Sequence, residues 1–292
     1  MLPPFDPFLH SWTQFLAYAA QSPGLQVKRP DGLKSPPLDH DFANSEDLYF
    51  DADKGLYLAV MHESEKLWTY GMPNPTPAQL LTRAHRQQQD YLDLENVLYA
   101  DIRTLGYHCP QTVFLTTEQP AIDFYTQSPV DKEDRDVFWT TYPVLKISQA
   151  IPGQTLRELK QDTTIDADLR TMRTEQGARQ AVLLGTLIDD NDRTSGNVLY
   201  YNETYYHIDF EFAGKSDGDS PLIVNLSDYK NCDDIVVDTH QLALDFIRTK
   251  AEIAANPLID KREKQLYQYR ADDALVLLNE INSAAPLPKH VF

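Results

Sequence analysis

Three side chains stand at a spacing that suits phosphoryl transfer. The run Asp192-Arg193-Thr194-Ser195-Gly196-Asn197 sets a carboxylate and an amide five residues apart, and Asp209-Phe210 follows twelve residues on. Moving a phosphoryl group asks a protein for positioning, charge neutralisation by magnesium, and a carboxylate that orients the nucleophile. A five-residue loop can present Asp192 and Asn197 to one cleft. Two short strands running out and back would return the chain so that Asp209 faces the same point. Magnesium's preference for carboxylate and carbonyl oxygen fits this set. The rival local reading is a capped turn between a helix and a strand, with Asp192 and Asn197 bonded to backbone amides.

The elements that would position these groups are legible in outline. Residues 6 to 20 read as an amphipathic helix with Asp6 as N-cap and Pro7 in its first turn. Leu48-Tyr49-Phe50 and Leu56 to Met61, around the turn Asp51 to Gly55, read as a hairpin. A long helical pattern runs from about Leu80 to Leu105, and Gly106 stands where a C-cap glycine would end it. Residues 112 to 116 and 137 to 148 read as strands, and Ile151-Pro152-Gly153-Gln154-Thr155-Leu156 as a turn opening a short helix. A helix from about Glu175 to Ile188 leads into the Asp192 motif. Strands 197 to 201 and 205 to 210 flank the turn Asn202-Glu203. From His240 onward the chain is mostly helical. The expectation is an α+β architecture of two lobes: a helical extension over 1–40, a small antiparallel-sheet lobe over 41–150, and a mainly helical lobe over 151–292.

Composition narrows the partners. The 292 residues carry 44 acidic and 26 basic side chains, a formal charge of −18. Such a surface repels phosphate backbones and anionic membranes, so nucleic acid is not expected as a direct partner. No apolar run approaches the roughly 20 residues needed to cross a bilayer. The first residues lack the pattern of a secretory signal. Two cysteines, Cys109 and Cys232, imply no disulfide framework and no cysteine zinc site. The expected location is cytoplasmic, or a host cell if the protein is injected into one.

The segment LIDDNDRTSGNVLYYNETYYHIDFEFAG resembles the catalytic segment of phosphatidylinositol-kinase-like and HipA-like atypical kinases. That resemblance implies a bilobal protein-kinase-like fold that binds ATP and Mg²⁺ between its lobes. It implies that Asp192 orients or deprotonates an acceptor hydroxyl, that Arg193, grouped with it among the catalytic residues, is the structural arginine of that loop, and that Asn197 and Asp209 bind the metal. More weakly, LYFDADKGLYLAVMH resembles the hairpin leading to the ATP-binding lysine. Glu95 would then be the partner of that lysine, and the backbone around Ile147, Ser148 and Ala150 would hold adenine. The acceptor would be a protein or a lipid, a protein being favoured because no basic cluster faces a membrane.

The departures from the pattern matter as much. Met61 stands where the family places its phosphate-binding lysine, and Lys66 or Lys28 is the nearest substitute in sequence. Glu211 replaces the glycine after Asp-Phe, and Asp190 stands where related small-molecule kinases have histidine. Two alternatives follow. One is a phosphotransferase of the aminoglycoside or choline kinase type, whose Asp-to-Asn spacing is the same. The other is a pseudokinase that works as a binding module.

Overall fold

The computed structural model describes residues 5–21, 26–27, 46–51, 54–61, 98–116, 144–210, 213–214 and 220–284. The chain divides into two compact units, one of residues 1–96 and 110–151, the other of 97–109 and 152–292. The class is the expected one, α+β with small antiparallel sheets.

The first unit is built on a five-stranded antiparallel sheet. Its strands are β1 (Gln26–Val27), β2 (Glu46–Asp51), β3 (Leu56–Met61), β4 (Thr112–Thr116) and β5 (Val144–Gln149), in the spatial order β1-β2-β3-β5-β4. The hairpin closes where the sequence indicated. Gly55 takes a φ of +62°, which glycine adopts without Cβ strain, and the Asp51 carboxylate accepts from the Lys54 N–H at 3.1 Å. One face of the sheet is sealed by Leu56, Leu58, Leu145 and Ile147, packed with Leu9 and Phe15. Phe15 lies on α1 (Trp12–Gln21), which starts six residues later than the sequence indicates. The Ser11 hydroxyl accepts from the Gln14 N–H at 3.2 Å, so serine and not Asp6 caps it.

The second unit is mainly helical. Its helices are α2 (residues 98–104), α3 (Leu156–Gln161), α4 (Ala167–Ile188), α5 (Pro221–Asn231), α6 (Thr239–Ala255) and α7 (Lys261–Ala284). Helix α2 ends as its glycine predicts: Gly106 has φ +88°, and the Tyr107 N–H reaches back to Ile102 O at 3.1 Å. The rest of the helical pattern from Leu80 lies outside the described residues. Thr155 opens α3 with a reciprocal capping box to Glu158. Asp166 caps α4 through the N–H groups of Asp168 and Leu169, so this helix begins eight residues before the apolar pattern does. Its first two turns are polar, and the apolar face at Ala178, Ala181 and Val182 becomes visible only beyond them.

Strands β6 (Gln154–Thr155), β7 (Val198–Tyr201) and β8 (Thr204–His207) form the second, three-stranded sheet. Asn202 and Glu203 both take positive φ, 48° and 61°, the geometry of a type I′ turn matched to strand twist. No described helix is long and apolar enough to cross a membrane.

Candidate active site

The Asp192 loop is built from the end of α4. Asp189 leaves the helix in a left-handed conformation, φ +63°, and the Asp190 N–H bonds back to Gly185 O at 2.8 Å. The Asp190 carboxylate is completely buried and accepts the Asp192 N–H at 2.9 Å. Beside it lies Arg193, 1% exposed, its Nε 2.9 Å from Asp190 Oδ2. This is an ion contact and not an aligned hydrogen bond, since neither atom finds hydrogen-bonding geometry. Arg193 Nη1 donates to Ile208 O at 2.8 Å, and the guanidinium stacks over the Phe210 ring at 4.5 Å. Arg193 thus grips both neighbours of Asp209 while anchored next to Asp192. Its contacts all go to the protein interior, where it holds its neighbours in place.

Asn197 and Asp209 are brought to this loop by the hairpin. Asn197 Nδ2 donates to Asp192 O at 2.6 Å and lies 3.3 Å from its carboxylate Oδ2, so the amide oxygen is directed away from Asp192. The Ile208 N–H bonds Asn197 O at 3.0 Å, which closes the loop onto the chain just past β8, next to Asp209. Asp209 itself has φ +59°, a left-handed conformation that a non-glycine residue adopts at a cost. Beyond it, Phe210 is buried edge-on against Tyr99, and the Gly214 N–H bonds Asp189 O at 2.8 Å. The chain after Asp209 is therefore tied back to the end of α4.

Asp192 also feels the charge of its neighbours. Burial foremost, and then the nearby Asp209 and Asp190 carboxylates, push the Asp192 acid up to about 6, against the opposing pull of Arg193 and Asn197. A carboxylate raised in the folded state favours folding most below its unfolded pKa near 3.8 and disfavours it progressively as pH rises through 6. Thermal melts without metal should therefore show Tm falling between pH 4 and 6, and Asp192→Asn should flatten that slope. An unchanged slope in the variant would assign it elsewhere.

The Asp209 carboxylate and the Asn197 amide oxygen are of the donor type that magnesium takes while keeping waters and phosphate oxygens. Among the described residues, no group of three or more His, Cys, Asp and Glu side chains is placed to hold a metal ion.

Three supporting residues escaped the sequence reading. Asn225 of α5, fully buried, donates from Nδ2 to Asp190 O at 2.8 Å and accepts the Arg193 N–H at 3.0 Å. A tight turn would join that carbonyl and that amide directly; here one side-chain amide is inserted between them. Asp233 accepts the Ser195 N–H at 3.3 Å and pairs with Arg157 at 3.2 Å. Gly185 supplies the clearance: a Cβ there would lie 2.5 Å from Arg193 Cγ, 2.7 Å from Asn225 Nδ2 and 2.9 Å from Asp190 O. Gly185→Ala is expected to cost about 1–3 kcal/mol in denaturant titration. Gly196→Ala, whose Cβ would meet nothing nearer than 3.8 Å, should be close to neutral. Equal effects of the two would contradict the packing described.

Of the remaining sequence candidates, Ile147, Ser148 and Ala150 lie among the described residues. Ile147 and Ser148 lie within β5, which pairs with β3 on one edge and β4 on the other. The Ile147 side chain belongs to the core and the Ser148 hydroxyl lies 3.1 Å from that of Thr112. Ala150 is the first residue past the ladder, and its N–H bonds Gly55 O at 2.8 Å. Glu95, Lys66 and Lys28 lie outside the described residues. His207 is buried against the Tyr107 ring. Burial above all, with Arg193 and His108 adding to it, pushes its pKa down to about 3, so it is neutral at physiological pH.

The chain matches no protein family profile and no curated protein sequence. Among solved structures, a proinflammatory kinase of Helicobacter pylori, CtkA, aligns over 81% of this chain and 95% of its own, at 10% identity and a TM-score of 0.29.

Proposed function

We propose that the protein is an ATP- and Mg²⁺-dependent phosphotransferase acting on a hydroxyl, with a protein acceptor favoured over a lipid. The observation that carries this reading is the grouping of Asp192, Asn197 and Asp209 on one buried polar scaffold. Asp192 stands on a loop bridged by Asn225, and Asp209 follows a carbonyl gripped by Arg193. The bound Mg²⁺, held by Asn197 and Asp209, would neutralise phosphate charge. Asp192 would accept the acceptor's hydroxyl proton as that oxygen bonds to the γ-phosphorus; the β–γ bridging bond breaks and ADP departs.

Labelled nucleotides test this. With Mg²⁺ and candidate acceptors, label should be transferred from γ-³²P-ATP and not from α-³²P-ATP. Transfer of α-label would make the reaction nucleotidylation. Transfer of neither would leave a nucleotide-independent binding module.

A further inference from the structure

The loop that carries the candidate site is held at two separate places. Asn225 joins Asp190 to Arg193 and so fixes the half that carries Asp192. The other half is the single 3₁₀ turn Ser195–Asn197, in which the Asn197 N–H bonds Thr194 O at 3.0 Å. The first amide of that turn, the Ser195 N–H, goes to Asp233 Oδ2 at 3.3 Å. Asp233 stands two residues past the end of α5, its side chain 1% exposed. Its other oxygen, Oδ1, accepts from Arg157 Nε at 3.2 Å and lies 3.2 Å from Nη2. Lys160, one turn further along α3, donates to Asp233 O at 2.8 Å and pairs with the Asp234 carboxylate at 3.1 Å. Asp234 itself takes φ +51°, a left-handed conformation that a non-glycine residue adopts at a cost. The backbone is thus held in a costly bend where it sets a buried carboxylate against the loop.

These contacts close a ring around Asn197. From Asn197 the chain runs directly into β7, where Leu199 pairs with Thr155 of β6. Thr155 caps α3, α3 grips Asp233 through Arg157 and Lys160, and Asp233 returns to Ser195. Taking a carboxylate out of water is costly even when it is paired. A neutral oxygen would satisfy one amide more cheaply, but the carboxylate, with two oxygens, ties α3 to that amide.

We propose that Asp233 is the positioning residue of the metal ligand Asn197, with Arg157 as the charge that holds it in place. The inference rests on the phosphotransferase reading and divides the work of the loop's anchors: Asn225 serves the base Asp192, and Asp233 serves the metal. Groups that orient a metal's ligands without touching the ion set its affinity.

Magnesium titrations of the full chain at fixed ATP, read as the ATP-dependent rise in Tm, test this. Asp233→Ala should raise the Mg²⁺ concentration at half-effect about 10- to 100-fold. Excess Mg²⁺ should then restore the full rise, because the ligands themselves remain. Asp233→Asn and Arg157→Met disturb the fold less and should move the half-point in the same direction by a smaller factor. Asparagine offers one oxygen where the carboxylate offers two, and methionine leaves Asp233 without its cation. Ile253→Val, a core change on α6, should lower Tm and leave the half-point at its native value. Circular dichroism checks the fold of each variant, and if Asp233→Ala does not fold, the two milder variants decide. A raised half-point in either supports the assignment. Native half-points in both, or an equal rise in Ile253→Val, would overturn it and leave the phosphotransferase reading standing. No Mg·ATP-dependent rise in the native chain would overturn both.

Discussion

Arg193→Met should cost about 3–5 kcal/mol of unfolding free energy, the penalty for leaving one member of a buried ion pair alone. Asp190, completely buried, would keep its carboxyl without the guanidinium 2.9 Å away. The variant should also lose the grip on Ile208 O and the stacking on Phe210 that set the place of Asp209. Burial already pushes the Asp190 acid up, and Arg193 is the leading influence that opposes this. Without Arg193 the carboxyl should be raised further. The variant should then be least deficient at acid pH and lose ground as pH rises through the Asp190 titration. The double variant Asp190→Asn/Arg193→Met should recover part of the loss, because no lone charge remains buried. Urea titrations of the four proteins of this cycle measure the coupling, and additive losses would show that the pair does not act as described.

Asp192→Asn should lower kcat about 10²- to 10⁴-fold, the usual contribution of a positioned general base. Mg·ATP affinity should change little, because in this account the metal is held by Asn197 and Asp209. Asparagine keeps the shape of the side chain, and the contacts that hold the loop are made by the backbone at 190, 192 and 193. A retained fold with a lost rate separates the acceptor's base from the metal's ligands. Turnover within about tenfold of native would remove Asp192 from the chemistry.

The hairpin β2–β3, strand β4 and the end of α2 were legible because local signals fix them: a glycine at φ +62°, an alternating run, a glycine at φ +88°. The starts of α1 and α4 were not, because their first turns are specified by Ser11 and Asp166 caps and not by apolar period. Helix α5 was missed altogether: it is short and mixed in character, and its place is set by Asn225 reaching residues 32 and 35 positions earlier in the chain. The spacing Asp192–Asn197–Asp209 could be read directly, since a loop and a hairpin are local structures. Which carboxylate of Asp189, Asp190 and Asp192 lies buried could not. Only the fold shows that Asp190 faces Arg193 inside, while Asp192, half-buried, stands at the site. The likeness of Arg193 to a catalytic-loop arginine located it in sequence but not in depth.

The most direct test of the central claim is Mg²⁺-dependent stabilisation by ATP. At ATP near 100 times its Kd, binding to the folded state alone adds about 2.7 kcal/mol, a shift readily seen in thermal melts. The native protein should show that shift with ATP and Mg²⁺ together and much less of it with ATP alone. Asp209→Ala should abolish the metal-dependent part while melting cooperatively by itself. An equal Mg·ATP shift in native and Asp209→Ala proteins, or none at millimolar ATP in the native protein, would contradict the assignment of Asp192, Asn197 and Asp209 as a metal–nucleotide site.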